Sequence, residues 1–488
     1  MCVSERSTIP LSKHLGLTHE QIEAIGILDV ILGTDTKLFI DPKLLDGSQI
    51  KELHGSREEI KTYFGDLIRI HKQSDKVPRL QQEAIHRIAI KEPLGLSIGY
   101  EDSRDSGTAI SESVARQSLQ SLSEMILVGV EDERVMELLG LFIEGFGPDS
   151  ISDLVVHIIY PKLCKATSRI AKELGVATKE FEINEHKYQL PIHPLKGHQL
   201  IFIPYDVVRD LPLATDWEEV IAAAQHNGAL RTSFNEIVGD AVKEFIHGIK
   251  KNPSILTSSK EKMETLIKVY SEATVEPYDI VSDPLSQNRV TEYGTILPDI
   301  LDTSGQKPTN LDPLTKLVEE KIIKQYRRCI ENNAGNTLLY KRKGQAVDPT
   351  KPVKEDAAQT LFFMVADIIC AAHDVLLSRE PNAGQGAVDF SLGTGYKDKI
   401  LVEIKKSTNG KLLGGYSNQL ESYIENEKAA HSFYVVIVVK ESNNSSKDSQ
   451  LNKLKSEYTK NISEGRRCPT LVVIDGLIRE SPSKRGDE

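Results

Sequence analysis

With 488 residues, 39% of them hydrophobic and 27% charged, the chain has room for two to four domains and the make-up of an ordinary globular protein. No run approaches the ~20 uninterrupted apolar residues of a membrane span, and Cys2, Cys164, Cys329, Cys370 and Cys468 form no CxxC pair, which points to neither a disulfide framework nor a zinc site. The net charge of −11 argues at first against a nucleic-acid partner, but residues 351–488 hold 19 basic and 19 acidic side chains, so the whole imbalance lies in the first 350.

The opening residues MCVSERSTIPLSKHLG hold no apolar signal core, so a cytoplasmic protein is expected. Leu11 to Ile27 has helical spacing with Thr18 placed to cap it, and Thr36 to Asp41 reads as a short strand stopped by Pro42. Asp41 can be read as a ligand, though an Asp-Pro turn is the commoner use. Ser56 to His71 is amphipathic and helical, and Gly107 to Gly129 reads as another helix. Between Arg134 and Gly175 a turn at Gly145–Ser150 leads into an apolar helix that Ser150 or Ser152 would cap. Asp149, Asp153 and His157 can share a face there, as a second site or, more simply, as carboxylates at the positive end of the helix beside a core-edge histidine. Tyr188–Pro191 and Gln199–Pro204 read as strands; His186, His193 and His198 beside them have no matching cysteine or carboxylate spacing, and are expected to be solvated loop residues. Short helical turns at Tyr205 and Trp217 and helices from Phe234 to Gly248 and from Ser258 to Ala273 follow. Val275 to Pro313, with five prolines among polar residues, reads as a linker or irregular crossing. The helix from Leu314 to Asn332 presents Lys321, Lys324, Arg327 and Arg328, either to a nucleic-acid backbone or to solvent.

Near the C-terminal end, Val388-Asp389-Phe390 and Ile400 to Lys405 are apolar-rich runs separated by a Gly-rich turn, the pattern of a β-hairpin. If it is symmetric about Tyr396, Asp389 lies opposite Glu403. Side chains alternate along a strand, so Glu403 and Lys405 then share a face with Asp389, while Val388, Phe390, Val402 and Ile404 face a core. Facing carboxylates repel, and a hard divalent cation such as Mg²⁺ or Mn²⁺, which takes one or two carboxylates together with water and phosphate oxygens, would neutralise them.

Asp389 followed by Glu403-Ile404-Lys405 resembles the D…ExK signature of the PD-(D/E)xK superfamily, the restriction-endonuclease-like phosphodiesterases. Glu355 opens an apolar helix that runs to about Leu377, where such nucleases often carry an acidic residue. Gln419 stands in a helix after the ExK strand, matching a glutamine often seen there. Phe433 to Val439 is a continuous apolar strand, and Gly384-Gln385-Gly386 leads into the first strand of the hairpin. The order helix, hairpin, helix, strand is the family's core order. The resemblance covers roughly residues 350–480 and departs from the pattern at Val388, where the family's proline is missing.

The resemblance implies an α/β protein whose C-terminal core is restriction-endonuclease-like, a mixed central sheet flanked by helices, behind a larger and mainly helical α+β N-terminal region. The domains expected are 1–275, with a sub-boundary near 125; 276–340, a linker and connecting helix; and 341–488, the nuclease-like module. It implies an Mg²⁺- or Mn²⁺-dependent endonuclease acting on nucleic acid, DNA above RNA. Asp389, Glu403, Glu355 and the Ile404 carbonyl would hold the metal, Lys405 would place the attacking water, and Gln419 would orient Lys405 or meet the phosphate backbone. Lys406 has no chemistry assigned, and Lys411 is either a phosphate contact or a solvated loop lysine. By analogy such modules serve prokaryotic restriction and anti-phage defence, with the N-terminal region selecting targets, forming homo-oligomers or docking a protein partner, and with no membrane involved. The alternative is a non-catalytic nucleic-acid-binding or assembly subunit that retains the fold.

Overall fold

The computed structural model describes residues 9–74, 77–91, 93–99, 110–127, 148–209, 275–343, 346–353, 355–379, 389–394, 398–410, 412–416, 429–441 and 449–479. The chain divides into two compact units, one made of Glu20–Leu28 and Asp35–Tyr278, the other of residues up to His19, Asp29–Thr34 and Asp279–Glu488. The helical pattern from Leu11 becomes two short helices, α1 (Leu11–Leu15) and α2 (His19–Ala24), because Gly16 turns left-handed at φ 71° and closes α1.

In the unit that contains Asp35–Tyr278, a two-residue strand β1 (Phe39–Ile40) is followed by α3 (Ser56–Ser74), whose Ile60, Phe64, Leu67 and Ile68 recur at helical spacing and are buried. Helices α4 (Pro78–Ile88), α5 (Glu112–Leu127) and α6 (Pro148–Glu173) come next, then the hairpin of β2 (Lys179–Ile183) and β3 (His186–Leu190), and β4 (Val208–Arg209), antiparallel to β1. Asp41 is a turn residue: its carboxylate accepts from the Lys43 amide at 2.8 Å and pairs with Arg209 at 2.6 Å. Ser150 and Ser152 lie inside α6 and do not cap it; Ser152 Oγ instead accepts from the Ile40 amide at 3.1 Å. Asp153 is buried and His157 exposed, so burial separates that pair, and the Asp149 side chain lies outside the described residues. Residues 199–204 make isolated bridges, not a strand. His193 is not solvated: it is buried, its ring stands edge-on to His198 at 5.1 Å, and its Nδ1 accepts from the Leu195 amide at 3.2 Å. The expected turn at Trp217 and the helices from Phe234 and Ser258 lie outside the described residues.

The other unit begins its long segment with α7 (Gln287–Gly294), α8 (Leu297–Ile300) and α9 (Leu311–Lys316), where the sequence suggests a linker. Val290, Leu297 and Leu314 from this stretch share one core with Phe362, Phe390 and Val435. What the proline count hides is Arg289, buried and paired with Asp283 at 3.3 Å, which also donates to the carbonyls of Thr337 and Tyr340 at 2.7 and 2.8 Å and so satisfies an otherwise irregular backbone. A π-helical stretch, Leu317–Ile323, joins α9 to α10 (Lys324–Asn332). Lys321 is spent on Asp302 at 3.2 Å and Arg327 on the Val473 carbonyl at 3.4 Å, which leaves Lys324 and Arg328 exposed on that helix.

A short hairpin, β5 (Tyr340–Lys343) with β6 (Ala346–Pro352), precedes α11 (Asp356–His373). Among the described residues this one helix is long and apolar enough to cross a membrane, and 72% of its apolar window is buried inside the protein, as in a core helix. It ends at His373, short of the expected Leu377, because Asp374 turns left-handed at φ 52° and the chain returns as β7 (Leu376–Arg379). The strands β8 (Phe390–Gly393) and β9 (Lys399–Lys406) form the predicted hairpin; the one-turn helix α12 (Leu412–Gly414), β10 (His431–Val438), α13 (Gln450–Ser463) and β11 (Thr470–Asp475) complete the unit.

The result is a mixed α/β fold around a five-stranded sheet ordered β11-β10-β9-β8-β7, parallel from β11 to β9 and antiparallel from β9 to β7. Both faces are covered. Phe390, Val402, Ile404, Phe433 and Val435 pack on α11, while Leu401, Tyr434 and Val436 pack on Leu412, Tyr416, Leu451 and Leu454. Such two-sided burial explains why β10 reads as a continuous apolar run.

Candidate active site

The register of the hairpin pairs Phe390 with Val402 and Leu392 with Ile400, which centres it on Tyr396 and places Asp389, one residue before β8, against Glu403. The Asp389 amide donates to Glu403 Oε2 at 3.2 Å, and Asp389 Oδ2 accepts from the Ile404 amide at 2.6 Å. Phe390, Val402 and Ile404 fill the opposite face, so the sheet itself holds the two carboxylates together.

Lys405 lies in the middle. Its ammonium is 2.7 Å from Glu403, 3.7 Å from Glu355 and 3.8 Å from Asp389, and it donates to the Ile404 carbonyl at 3.3 Å. Glu355, the residue before α11, is fixed from β9: its Oε1 accepts from the Lys406 amide at 3.0 Å and from Asn409 Nδ2 at 2.8 Å. Asp389, Glu403, Lys405 and Glu355, each singled out in the sequence, therefore converge on one point. Gln419, Lys411, Val388 and the Gly384–Gly386 approach lie outside the described residues.

Three carboxylates surround one ammonium in a pocket where the Glu403 and Lys405 side chains are only 7% and 16% exposed. Burial first, and the neighbouring Glu403 second, push the Asp389 carboxyl up to about 7. Burial opposes the Lys405 ammonium, yet Asp389, Glu403 and Glu355 outweigh it and hold its pKa above the ordinary lysine value. Lys405 thus stays a cation through the neutral range.

Two residues complete the site that the sequence alone did not single out. Gln359, one turn into α11 from Glu355, donates from Nε2 to Asp389 Oδ1 at 2.8 Å, and Asn409 steadies Glu355. The i, i+4 spacing of Glu355 and Gln359 was available as a signal. Lys406 has a structural task after all: its buried ammonium donates to the Val353 carbonyl, and burial lowers its pKa.

The donors fit a hard divalent ion. All are oxygens, and Asp389 and Glu403 stand close enough for an amide-to-carboxylate bond of 3.2 Å between them. Among the described residues no three His, Cys, Asp or Glu side chains are spaced to close on one ion, but Mg²⁺ commonly takes one or two carboxylates and fills its shell with water and phosphate oxygens. Asp389, Glu403 and the Ile404 carbonyl would hold it, with Glu355 nearby.

A family model described as "Domain of unknown function (DUF8370)" matches residues 16–216, and one described as "Domain of unknown function (DUF8371)" matches residues 315–441, the stretch that contains Glu355, Asp389, Glu403 and Lys405. No curated protein and no solved structure matches the chain.

Proposed function

We propose that the chain is a metal-dependent nuclease of the PD-(D/E)xK kind, hydrolysing phosphodiester bonds in DNA, with a restriction-endonuclease-like core in the unit that carries the five-stranded sheet. The observation that carries this reading is the meeting of Asp389, Glu403 and Glu355 around Lys405, each within 3.8 Å of its ammonium, at the end of a hairpin whose register sets the two acids face to face. The succession of α11, the β8–β9 hairpin and the parallel strand β10 supports that reading, and the helix expected around Gln419 lies outside the described residues. A bound Mg²⁺ or Mn²⁺ supplies Lewis acidity toward the phosphate and a lowered water pKa.

The chain's own residues divide the remaining work. Asp389 and Glu403 would hold the ion. Glu355, held by Asn409 and the Lys406 amide, sits beside Lys405 and orients water at the edge of the site. Lys405 is a poor general base, because its carboxylate neighbours keep it protonated; it acts as a fixed cation that stabilises charge developing on the phosphate oxygens. Gln359 at Oδ1 and the Ile404 amide at Oδ2 fix the Asp389 carboxylate, whose remaining lone pairs would meet the ion. The reading extends, by analogy, to a role in restriction or anti-phage defence.

One feature favours the second reading, a non-catalytic subunit: Lys405 already pairs with all three carboxylates, which closes the cluster as an internal ion-pair network. Incubation of single- and double-stranded DNA and RNA with the whole chain in Mg²⁺, Mn²⁺ or EDTA separates the two. Cleavage of duplex DNA with either metal, absent in EDTA and absent in a folded Lys405→Ala variant, is expected. Binding without cleavage under every metal condition supports the subunit.

A further inference from the structure

A second candidate site lies in the unit that contains Asp35–Tyr278, and its argument does not depend on the nuclease reading. The second half of α6 and the β2–β3 hairpin enclose a cleft of about 1110 Å³, at the upper end of the roughly 300–1,000 Å³ of small-ligand sites. Lys165, Ser168, Arg169 and Lys172 recur at helical spacing along its floor, and His186 and Tyr188 stand on the hairpin wall. Among the described residues no aspartate or glutamate lines it.

The cations in this cleft are not equivalent. Arg169 is held by Glu52 at 2.7 Å and Glu173 at 3.0 Å, and Lys187 by Glu180 at 2.8 Å. Lys165 and Lys172 are exposed and make no ion pair among the described residues. Seven residues apart, they lie about 10.5 Å from each other along the helix at ~1.5 Å per residue. Ser168 Oγ, between them, is a buried hydroxyl with no hydrogen-bond partner among the described residues. The exposed His186 ring stands edge-on to Tyr188 at 6.5 Å and offers a flat face at the mouth.

We infer that this cleft binds a ligand with two phosphates joined through a nucleoside, the chemistry shared by a dinucleotide and a single nucleic-acid strand. Two lysines set that far apart along the helix, each on a flexible stem, suit phosphates on either side of a nucleoside better than the adjacent pair of a pyrophosphate. Ser168 supplies a neutral hydrogen bond between them, and the His186 ring supplies a stacking surface for a base.

The test uses the full chain in EDTA, with fluorescence anisotropy of labelled 5′-phosphorylated dT dinucleotide and dT dodecamer, and with pyrophosphate and a decaglutamate peptide as competitors. The dinucleotide is expected to bind, and Lys165→Glu/Lys172→Glu is expected to weaken it tenfold or more; both positions are exposed, so the melting curve should not move. Ser168→Ala is expected to cost roughly two- to tenfold, the worth of one hydrogen bond, and Lys91→Glu, an exposed lysine elsewhere, to change nothing. Two contacts predict a salt slope of about −1.4 on a single strand. Equal affinity for the two oligonucleotides supports a small ligand and affinity that grows with length supports a strand. No binding of either, binding that the double variant leaves intact, or competition by pyrophosphate or decaglutamate as strong as by unlabelled dinucleotide overturns the proposal.

Discussion

Against the pull of the Lys405 ammonium, burial first and the repelling Glu403 carboxylate second raise the pKa of the Asp389 carboxyl. Its folded value, about 7, is raised from an ordinary 3.8, so the folded state holds the proton more tightly than the unfolded chain does. The stability this contributes is full below about pH 4 and is lost as pH rises toward 7. Urea midpoints of the metal-free protein should therefore fall across that window, and Asp389→Asn, which keeps the shape without the charge, should flatten the fall. On the proposed nuclease reading Mg²⁺ would compete for the same oxygens, so cleavage should rise with pH through about 7 and then level; a profile that declines from pH 6 to 8 would remove Asp389 from the proposed metal shell. At pH 8, Mg²⁺ at a hundred times its Kd should stabilise the wild type by about 2.7 kcal/mol and Asp389→Asn by much less, as read from melting curves. Gln359→Ala removes the donor to Asp389 Oδ1. We expect about 0.5–1.5 kcal/mol of lost stability and a drop of roughly tenfold in cleavage; unchanged cleavage would reduce Gln359 to a packing residue.

The hairpin of β8 and β9 is the element on which the site depends, and its register was legible from period and turn alone. Strict alternation sets Phe390, Val402 and Ile404 toward α11, and a one-residue slip would have turned Asp389 and Glu403 into that apolar core instead. Phe390 packs against Phe362 at 4.7 Å between ring centroids, so Phe390→Ala should cost about 3–5 kcal/mol, measured by chemical denaturation. Other elements were not legible because their cause is tertiary. The end of α11 hangs on one left-handed residue, Asp374, inside a run of apolar residues that reads equally well as helix or strand. Strand β11 finds its place by pairing with β10, 32 or more residues away in sequence. Gln359 acquires its role only when α11 lies against the hairpin. In the other unit, Gly95 has φ 88° and a Cβ there would come within 2.2 Å of the Gln199 carbonyl oxygen. Gly95→Ala should thus destabilise by at least the ~1–3 kcal/mol of a strained residue, and a neutral effect on the melting curve would contradict the packing described.

Across the whole molecule, the borders of the units differ from those that composition suggests. The sequence suggests a linker and connecting helix at 276–340 and, by the resemblance, a nuclease-like module at 341–488; Ile31, Val290, Leu297, Val318 and Tyr326 share one core with the sheet. A fragment starting at 341 should therefore lack a cooperative unfolding transition in calorimetry, and a sharp transition for it would show that the core can close without those residues. The proline-rich stretch misleads because Arg289 within it, a single buried residue that no local pattern reveals, ties it to the Thr337 and Tyr340 carbonyls of a later segment. Charge misleads in a similar way: the net −11 of the chain says little about either local site, one acidic and one basic. The proposed nuclease needs Asp389 and Glu403, beside Lys405, to hold a working metal ion. Relaxation of supercoiled plasmid by the whole chain, with and without Mg²⁺, compared with Glu403→Gln shown to be folded by its melting curve, tests it most directly. Metal-dependent nicking that falls at least a hundredfold in the variant is the result predicted, and nicking that survives in EDTA or in Glu403→Gln would contradict it.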